Sequence, residues 1–200
     1  MKILELKELV KTRYLSMYDI VYQNKKGNQK SWMLATRKTA AELHKIFFEK
    51  TVDAADAVVV VAFHTASKSL VCIKQFRLPI NDYIYELPAG LIDPGETIST
   101  TTVRELKEET GLDLDQILQE PYGDKLYLTP GMTDESIALV FCTCSGDVST
   151  DHLEPDEDIT PYLVNKEQAK EILASDTKMD VKFYLILSNF INGIYDNFFK

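Results

Sequence analysis

The chain has 200 residues, 45% of them hydrophobic, and a formal net charge of −9. That length suffices for one generous domain, or one domain with a small appendage, whose core needs no disulfide or structural metal. The composition excludes global disorder. The acidity argues against non-specific nucleic-acid binding, which needs a positive surface.

Lys2, Glu5, Lys7 and Glu8 interrupt the uninterrupted apolar stretch that a signal peptide requires. Residues 13–37 read as a β-hairpin or meander. Tyr14, Met17, Tyr18, Ile20, Val21 and Tyr22 form a strand-like run, Asn24-Lys25-Lys26-Gly27-Asn28 a turn, and residues 31–36 a returning strand. Residues 38–54 are expected to hold a short helix and a connection. The first 50 residues are therefore assigned to a small β element and residues 51–200 to the main domain.

From residue 57 the pattern changes. Residues 57–63 are a continuous β-branched run and residues 69–76 a second apolar run, with residues 83–87 as a third strand. Asp93-Pro94-Gly95 is a turn. Residues 98–110 are helical in pattern, and Gly111 stands where a C-cap glycine belongs. Further strands are expected at 125–128, 136–144 and 160–164, with an acidic stretch at 151–158. Helices at 166–174 and 181–197 close the chain. The most apolar long segment, 183–199, carries Ser188, Asn189, Asn192, Asp196 and Asn197, too polar for a membrane span. A cytoplasmic protein with no membrane partner is expected. Cys72, Cys142 and Cys144 lack zinc spacing and read as reduced thiols. His44, His64 and His152 show no ligand spacing.

The chemistry is concentrated in Arg104-Glu105-Leu106-Lys107-Glu108-Glu109-Thr110-Gly111. On a helix, Glu105 pairs with Glu109 at i,i+4 and with Glu108 at i,i+3, so the three carboxylates share one face. Val103, Leu106 and Thr110 are expected on the opposite, inward face. Clustered carboxylates repel one another, and hard divalent cations such as Mg2+ or Mn2+ would offset that repulsion. Arg104 is i,i+4 to Glu108 and can orient it. A helix rich in Glu is, on its own, most often a solvated surface. The wider spacing changes that: Gly90, five residues, Glu96, seven residues, then Arg104-Glu105-Leu106-x-Glu108-Glu109-x-Gly111-Leu112.

This pattern resembles the complete Nudix box, Gly-x5-Glu-x7-Arg-Glu-U-x-Glu-Glu-x-Gly-U with U apolar. The resemblance extends from about Tyr14 onward and is to the ADP-ribose pyrophosphatase branch. It is carried by Gln75-Phe76-Arg77, by the run Tyr85-Glu86-Leu87-Pro88-Ala89-Gly90-Leu91-Ile92-Asp93, by Thr129-Pro130-Gly131-Met132-Thr133-Asp134-Glu135, and by Glu154-Pro155-Asp156-Glu157-Asp158-Ile159.

The resemblance implies a Nudix α/β/α sandwich with a mixed sheet, preceded by a small N-terminal β element that homodimers exchange. It implies that the Ala89 carbonyl, Glu105 and Glu109, with Glu108 beside them, hold two or three Mg2+ or Mn2+ ions. Glu96 and Gly90 would shape the loop before the helix. The acidic loop would supply the general base: Glu157, with Glu154 and Asp156 as alternatives. Arg77 would bind phosphate, with Glu86 near the ribose or the metals. Pro130 and Gly131 would form a substrate loop. Trp32 and Arg37 would contact substrate, Trp32 either stacking on adenine or anchoring the dimer. The implied reaction is ADP-ribose plus water giving AMP and ribose 5-phosphate. Another sugar nucleotide or a dinucleotide is the alternative substrate, and a non-catalytic metabolite sensor the alternative role.

Overall fold

A computed structural model describes residues 1–118 and 123–199. The chain forms two compact units, Met1–Asp56 with Lys125–Ile137, and Ala57–Asp124 with Ala138–Lys200.

The first unit is built on an antiparallel sheet of β1 (Lys2–Lys11), β2 (Ser16–Gln23) and β3 (Gln29–Thr36). The turn expected at residues 24–28 joins β2 to β3, closed by Asn24 Oδ1 accepting from the N–H groups of Lys26 and Asn28. β1 was not foreseen. Two register shifts, between Ile3 and Glu5 and between Glu8 and Val10, break its period-two pattern. α1 (Ala40–His44) starts at Thr39 with a reciprocal Thr39–Glu42 capping box and buries Leu43 against Tyr18, Ile20 and Leu34. A three-stranded sheet with one apolar face needs such a cover to be stable. The segment after β9 (Gly123–Tyr127) also belongs to this unit. It lies beside β3, where Ala35 N–H donates to Met132 O at 2.9 Å and Ala35 bridges Thr133 in parallel.

The second unit contains the larger α/β sheet, in which β11 (Ile159–Val164), β5 (Ser69–Arg77), β4 (Ala57–His64), β10 (Ser136–Ser145) and β8 (Asp113–Ile117) follow in order. β6 (Asp82–Glu86) pairs with β5, and β7 (Ala89–Leu91) with β4. β4 is buried at every position, as a continuous apolar run covered on both faces should be. The faces are told apart at β6. Tyr85 stacks on Phe183 of α4 (Val181–Ile191), with ring centroids 5.9 Å apart. Glu86, the next residue, points the other way and meets Arg77, whose charge is felt by Glu109 of α2 (Ile98–Thr110). α2 and α4 therefore cover opposite faces, which is the expected α/β/α arrangement. α3 (Lys166–Ala174) packs on α4. α4 ends at Ile191, earlier than its apolar pattern suggests, because Asn192 and Gly193 (φ 79°) turn the chain. Cys72, Cys142 and Cys144 are free and buried. Among the described residues no helix is long and apolar enough to cross a membrane.

Candidate active site

α2 begins where Thr97 Oγ1 accepts from Thr100 N–H. It ends at Gly111, whose φ of 76° is left-handed and whose N–H donates to Lys107 O. The buried arc of the helix is Thr101, Thr102, Glu105, Leu106, Glu109 and Thr110. This corrects one expectation. Leu106 and Thr110 do pack inward, but Val103 is 48% exposed. Glu105 and Glu109 are not opposite the buried face; they lie on it, 8% and 4% exposed. Glu108, one residue round the helix, remains accessible.

Arg104 organises the approach to these carboxylates. It donates from Nε to Glu96 Oε1 (2.9 Å) and from Nη2 to Glu96 Oε2 (2.8 Å) and Leu91 O (3.0 Å). Its Nη1 reaches Glu105 Oε1 (2.7 Å) and Glu108 Oε2 (3.0 Å). The Arg104–Glu108 contact follows from helical spacing; the fork onto Glu96 does not. Glu96 also accepts from Thr101 Oγ1 and from Asp93 N–H. The Arg104 fork, then Thr101, holds the Glu96 carboxyl down at about 2, and the bond to Glu96 holds the Arg104 guanidinium charged. The loop between β7 and α2 is thus fastened from both ends.

Glu109 is different. Burial pushes its carboxyl well above the usual range, and the charges of Glu105 and Glu157 push the same way. The Ala89 N–H, 2.9 Å from Glu109 Oε2, and the Arg77 charge offset this only partly. Glu105 is raised as well, by burial first, against the pull of Arg104 and with Glu108 and Glu157 adding to it. Glu157, in the loop before β11, is thus the loop carboxylate whose charge bears on both helix carboxyls, and its own Oε2 accepts from Glu154 N–H at 2.9 Å. Gly90 lies directly against the Glu105 carboxylate, and a Cβ there would overlap it. Only glycine permits that approach. Arg77 and Glu86 are paired to each other, Nε to Oε1 at 2.6 Å and Nη2 to Oε2 at 3.0 Å, which holds the Arg77 guanidinium charged.

The remaining candidates fall in the first unit and are drawn together there. Trp32, 55% exposed, donates from Nε1 to Gly131 O at 3.0 Å. Arg37 donates to Glu135 Oε1 at 3.1 Å. Trp32, Pro130 and Met132 line an apolar cavity of about 220 Å3 with Ile20, Phe47 and Tyr127.

Comparison with known proteins decides the family. Residues 53–183 match the model of the NUDIX domain. The chain belongs to the NUDIX family. It is similar to an ADP-ribose pyrophosphatase of Saccharomyces cerevisiae, 31% identical over 143 residues, which is 70% of this chain. The chain spans 58% of that relative's length. An uncharacterized Nudix hydrolase of Schizosaccharomyces pombe is 28% identical over 203 residues, 97% of this chain and 93% of its own. A solved ADP compounds hydrolase superposes with a TM-score of 0.68 at 17% identity, over 98% of this chain and 94% of that one, and shows the same fold.

The Nudix helix and the Ala89 backbone offer hard oxygen donors with excess negative charge, the donor type that Mg2+ and Mn2+ prefer. Among the described residues, no three acidic, His or Cys side chains already converge into a metal-holding group. Arg104 Nη1 bonds both Glu105 and Glu108, and the Ala89 N–H takes one oxygen of Glu109. Burial, charge and the bare Gly90 backbone fit a hard divalent cation in donor chemistry. Neither Thr101 as a brace of Glu96 nor Lys38 beside Asp56 is foreseen from the sequence. A Thr five residues after the Glu of the box was the only signal for the first.

Proposed function

We propose that the protein is a metal-dependent pyrophosphohydrolase that converts ADP-ribose and water to AMP and ribose 5-phosphate, working as a homodimer in the cytoplasm. The observation that carries this reading is the pair Glu105 and Glu109, buried together in carboxylate repulsion, Glu105 against bare Gly90 and Glu109 at the Ala89 N–H, with the charge of Glu157 adding to it. A carboxylate cluster of this kind is costly in a structure and useful in a metal site.

Divalent cations, when bound, would neutralise pyrophosphate charge and acidify an attacking water. Glu105 and Glu109, with Glu108 and the Ala89 carbonyl, would hold them. Arg104 orients Glu105 and Glu108 and, through Glu96, keeps the loop carrying Ala89 and Gly90 in place. Glu157 accepts the proton of the attacking water at its carboxylate. Arg77 spends Nε and Nη2 on Glu86, which leaves Nη1 to donate to a phosphate oxygen while Glu86 keeps the guanidinium plane fixed. Trp32, Arg37, Pro130 and Gly131 contact substrate or, for Trp32, anchor the partner subunit.

The substrate is tested with a panel of ADP-ribose, other nucleoside diphosphate sugars and dinucleotides, scored by kcat/KM with Mg2+. ADP-ribose is expected to lead, with AMP as product. A higher kcat/KM for another member reassigns the substrate, and no turnover on any member favours a sensor. Glu157→Gln is expected to lower kcat far more than it changes KM. If Glu154→Gln is crippled instead, the base is Glu154.

A further inference from the structure

Glu157 sits in an acidic loop, and a loop carboxylate is a poor base unless something fixes its approach. Residues 154–157 close on themselves: Glu157 N–H donates to Glu154 O at 3.0 Å, and Glu157 Oε2 accepts from Glu154 N–H at 2.9 Å. This makes a stiff turn but does not attach it to the sheet. The attachment is made by the next residue. Asp158 O accepts from Phe76 N–H of β5 at 3.0 Å, and Asp158 Oδ2 accepts from the Tyr83 hydroxyl of β6 at 2.5 Å. Among the described residues, these are the hydrogen bonds that tie residues 154–158 to the sheet.

The two donors are themselves a matched pair. Phe76 and Tyr83 are direct register partners between β5 and β6. Their rings meet edge to face with centroids 5.3 Å apart, and Lys74 Nζ lies 5.7 Å from the Tyr83 ring centroid. The Tyr83 ring is thus held in place, and its hydroxyl is a donor presented at a fixed point. Asp158 is gripped by its backbone at one strand and by its side chain at the next. Two attachment points fix orientation where one would leave a swivel, and the residue so fixed is bonded directly to Glu157.

We propose that Tyr83, acting through Asp158, is a positioning residue for the general base: the Tyr83–Asp158 hydrogen bond holds the 154–157 turn so that the Glu157 carboxylate faces Glu105 and Glu109. This rests on the assignment of Glu157 as base. Tyr83 touches no reacting atom in this scheme, and its influence reaches the chemistry only through the placement of Glu157.

The test is a kinetic cycle on the full chain with ADP-ribose and Mg2+. Tyr83→Phe keeps the ring and its packing and removes only the hydroxyl. It is expected to lower kcat by about threefold to tenfold with KM nearly unchanged, since a base acts chiefly in the transition state. Asp158→Ala should match it, the double variant should lose no more than either alone, and Asp158→Asn, which keeps an acceptor, should recover most of the loss. The decisive arm is Tyr83→Phe in a Glu157→Gln background. There the hydroxyl has no base to position, and no further loss is expected. An equal loss in both backgrounds overturns the proposal, because the tether would then act on something other than Glu157. A crippled Glu157→Gln enzyme beside an unaffected Tyr83→Phe enzyme overturns the tether alone. Wild-type turnover in Glu157→Gln overturns the base assignment and the tether with it.

Discussion

Lys38 and Glu109 are both buried, and both are surrounded by carboxylates, yet their surroundings settle in opposite ways. In the first unit Lys38, 8% exposed, lies 2.7 Å from Asp56 Oδ1 and 3.5 Å from both Asp53 Oδ2 and Asp134 Oδ2. Lys125 adds a second cation at Asp53, and Asp56 Oδ2 accepts from Ser136 N–H and Oγ. Burial pulls the Lys38 ammonium down, but the Asp56 hydrogen bond and the charges of Asp134, Asp56 and Asp53 outweigh it, so it is held charged. The charges are balanced in place, and the cluster clips β3 to the segment that carries Gly131 and Glu135. In the second unit Arg104 serves Glu105 and Glu108 while shared with Glu96, and among the described residues Glu109 is met by the Ala89 amide and the charge of Arg77. The Lys38 cluster carries its own counter-charge; the α2 carboxylates keep more negative charge than the cations beside them offset.

The largest effect should come from removing the deficit. Glu109→Gln is expected to cut kcat by several orders of magnitude with the fold intact. It should also raise the melting temperature of the metal-free protein. A carboxyl whose folded value is raised favours the folded state fully below its unfolded value, and that contribution is lost as pH rises through the folded value. At any pH above the unfolded value, losing the Glu109 proton therefore costs the folded state more than the unfolded one, and Gln removes that cost. Melting curves in chelator from pH 5 to 8 check this: the wild-type protein should gain stability relative to Glu109→Gln as pH falls.

Breaking the balanced cluster should act on stability instead. Lys38→Met leaves Asp53, Asp56 and Asp134 without their common cation, and loss of one member of a buried ion cluster costs about 3 kcal/mol. Denaturant unfolding should show that loss. A variant as stable as wild type would mean that Lys125 and Ser136 alone satisfy the three aspartates.

The smallest effect sharpens the role of the segment that Lys38 clips. Trp32→Ala should raise KM for ADP-ribose by about tenfold to a hundredfold if the ring stacks on adenine, since base–aromatic stacking is worth roughly 1–3 kcal/mol. If the ring anchors the partner subunit, light scattering should show a shift toward monomer and activity should depend on enzyme concentration. An intact dimer with unchanged KM would leave Trp32 a packing residue, fixed by its bond to Gly131 O.

These contrasts also show what local sequence can carry. The strands β4 and β5, the helix α2 and its Gly111 cap are written in contiguous residues, and so is the spacing from Gly90 to Leu112. β1 was hidden because two bulges spoil its alternation. The inward tilt of Glu105 and Glu109 was hidden because helical spacing gives angles between residues but not which arc the sheet covers. Lys38 was invisible for a third reason: its partners are Asp53, Asp56 and Asp134, and nothing local to residue 38 announces that the chain returns there. The Tyr83–Asp158 bond joins residues 75 apart and was beyond reach for the same reason.

The central claim, that the carboxylate excess on α2 is a divalent-cation site, is tested most directly by titrating Mn2+ into the substrate-free protein and counting bound ions by electron paramagnetic resonance. Wild-type protein should bind Mn2+, whereas Glu105→Gln and Glu109→Gln should each weaken binding by at least about tenfold, which is 1.4 kcal/mol. Unchanged Mn2+ binding in both glutamine variants would contradict the claim and leave the cluster an acidic helix face with no metal to hold.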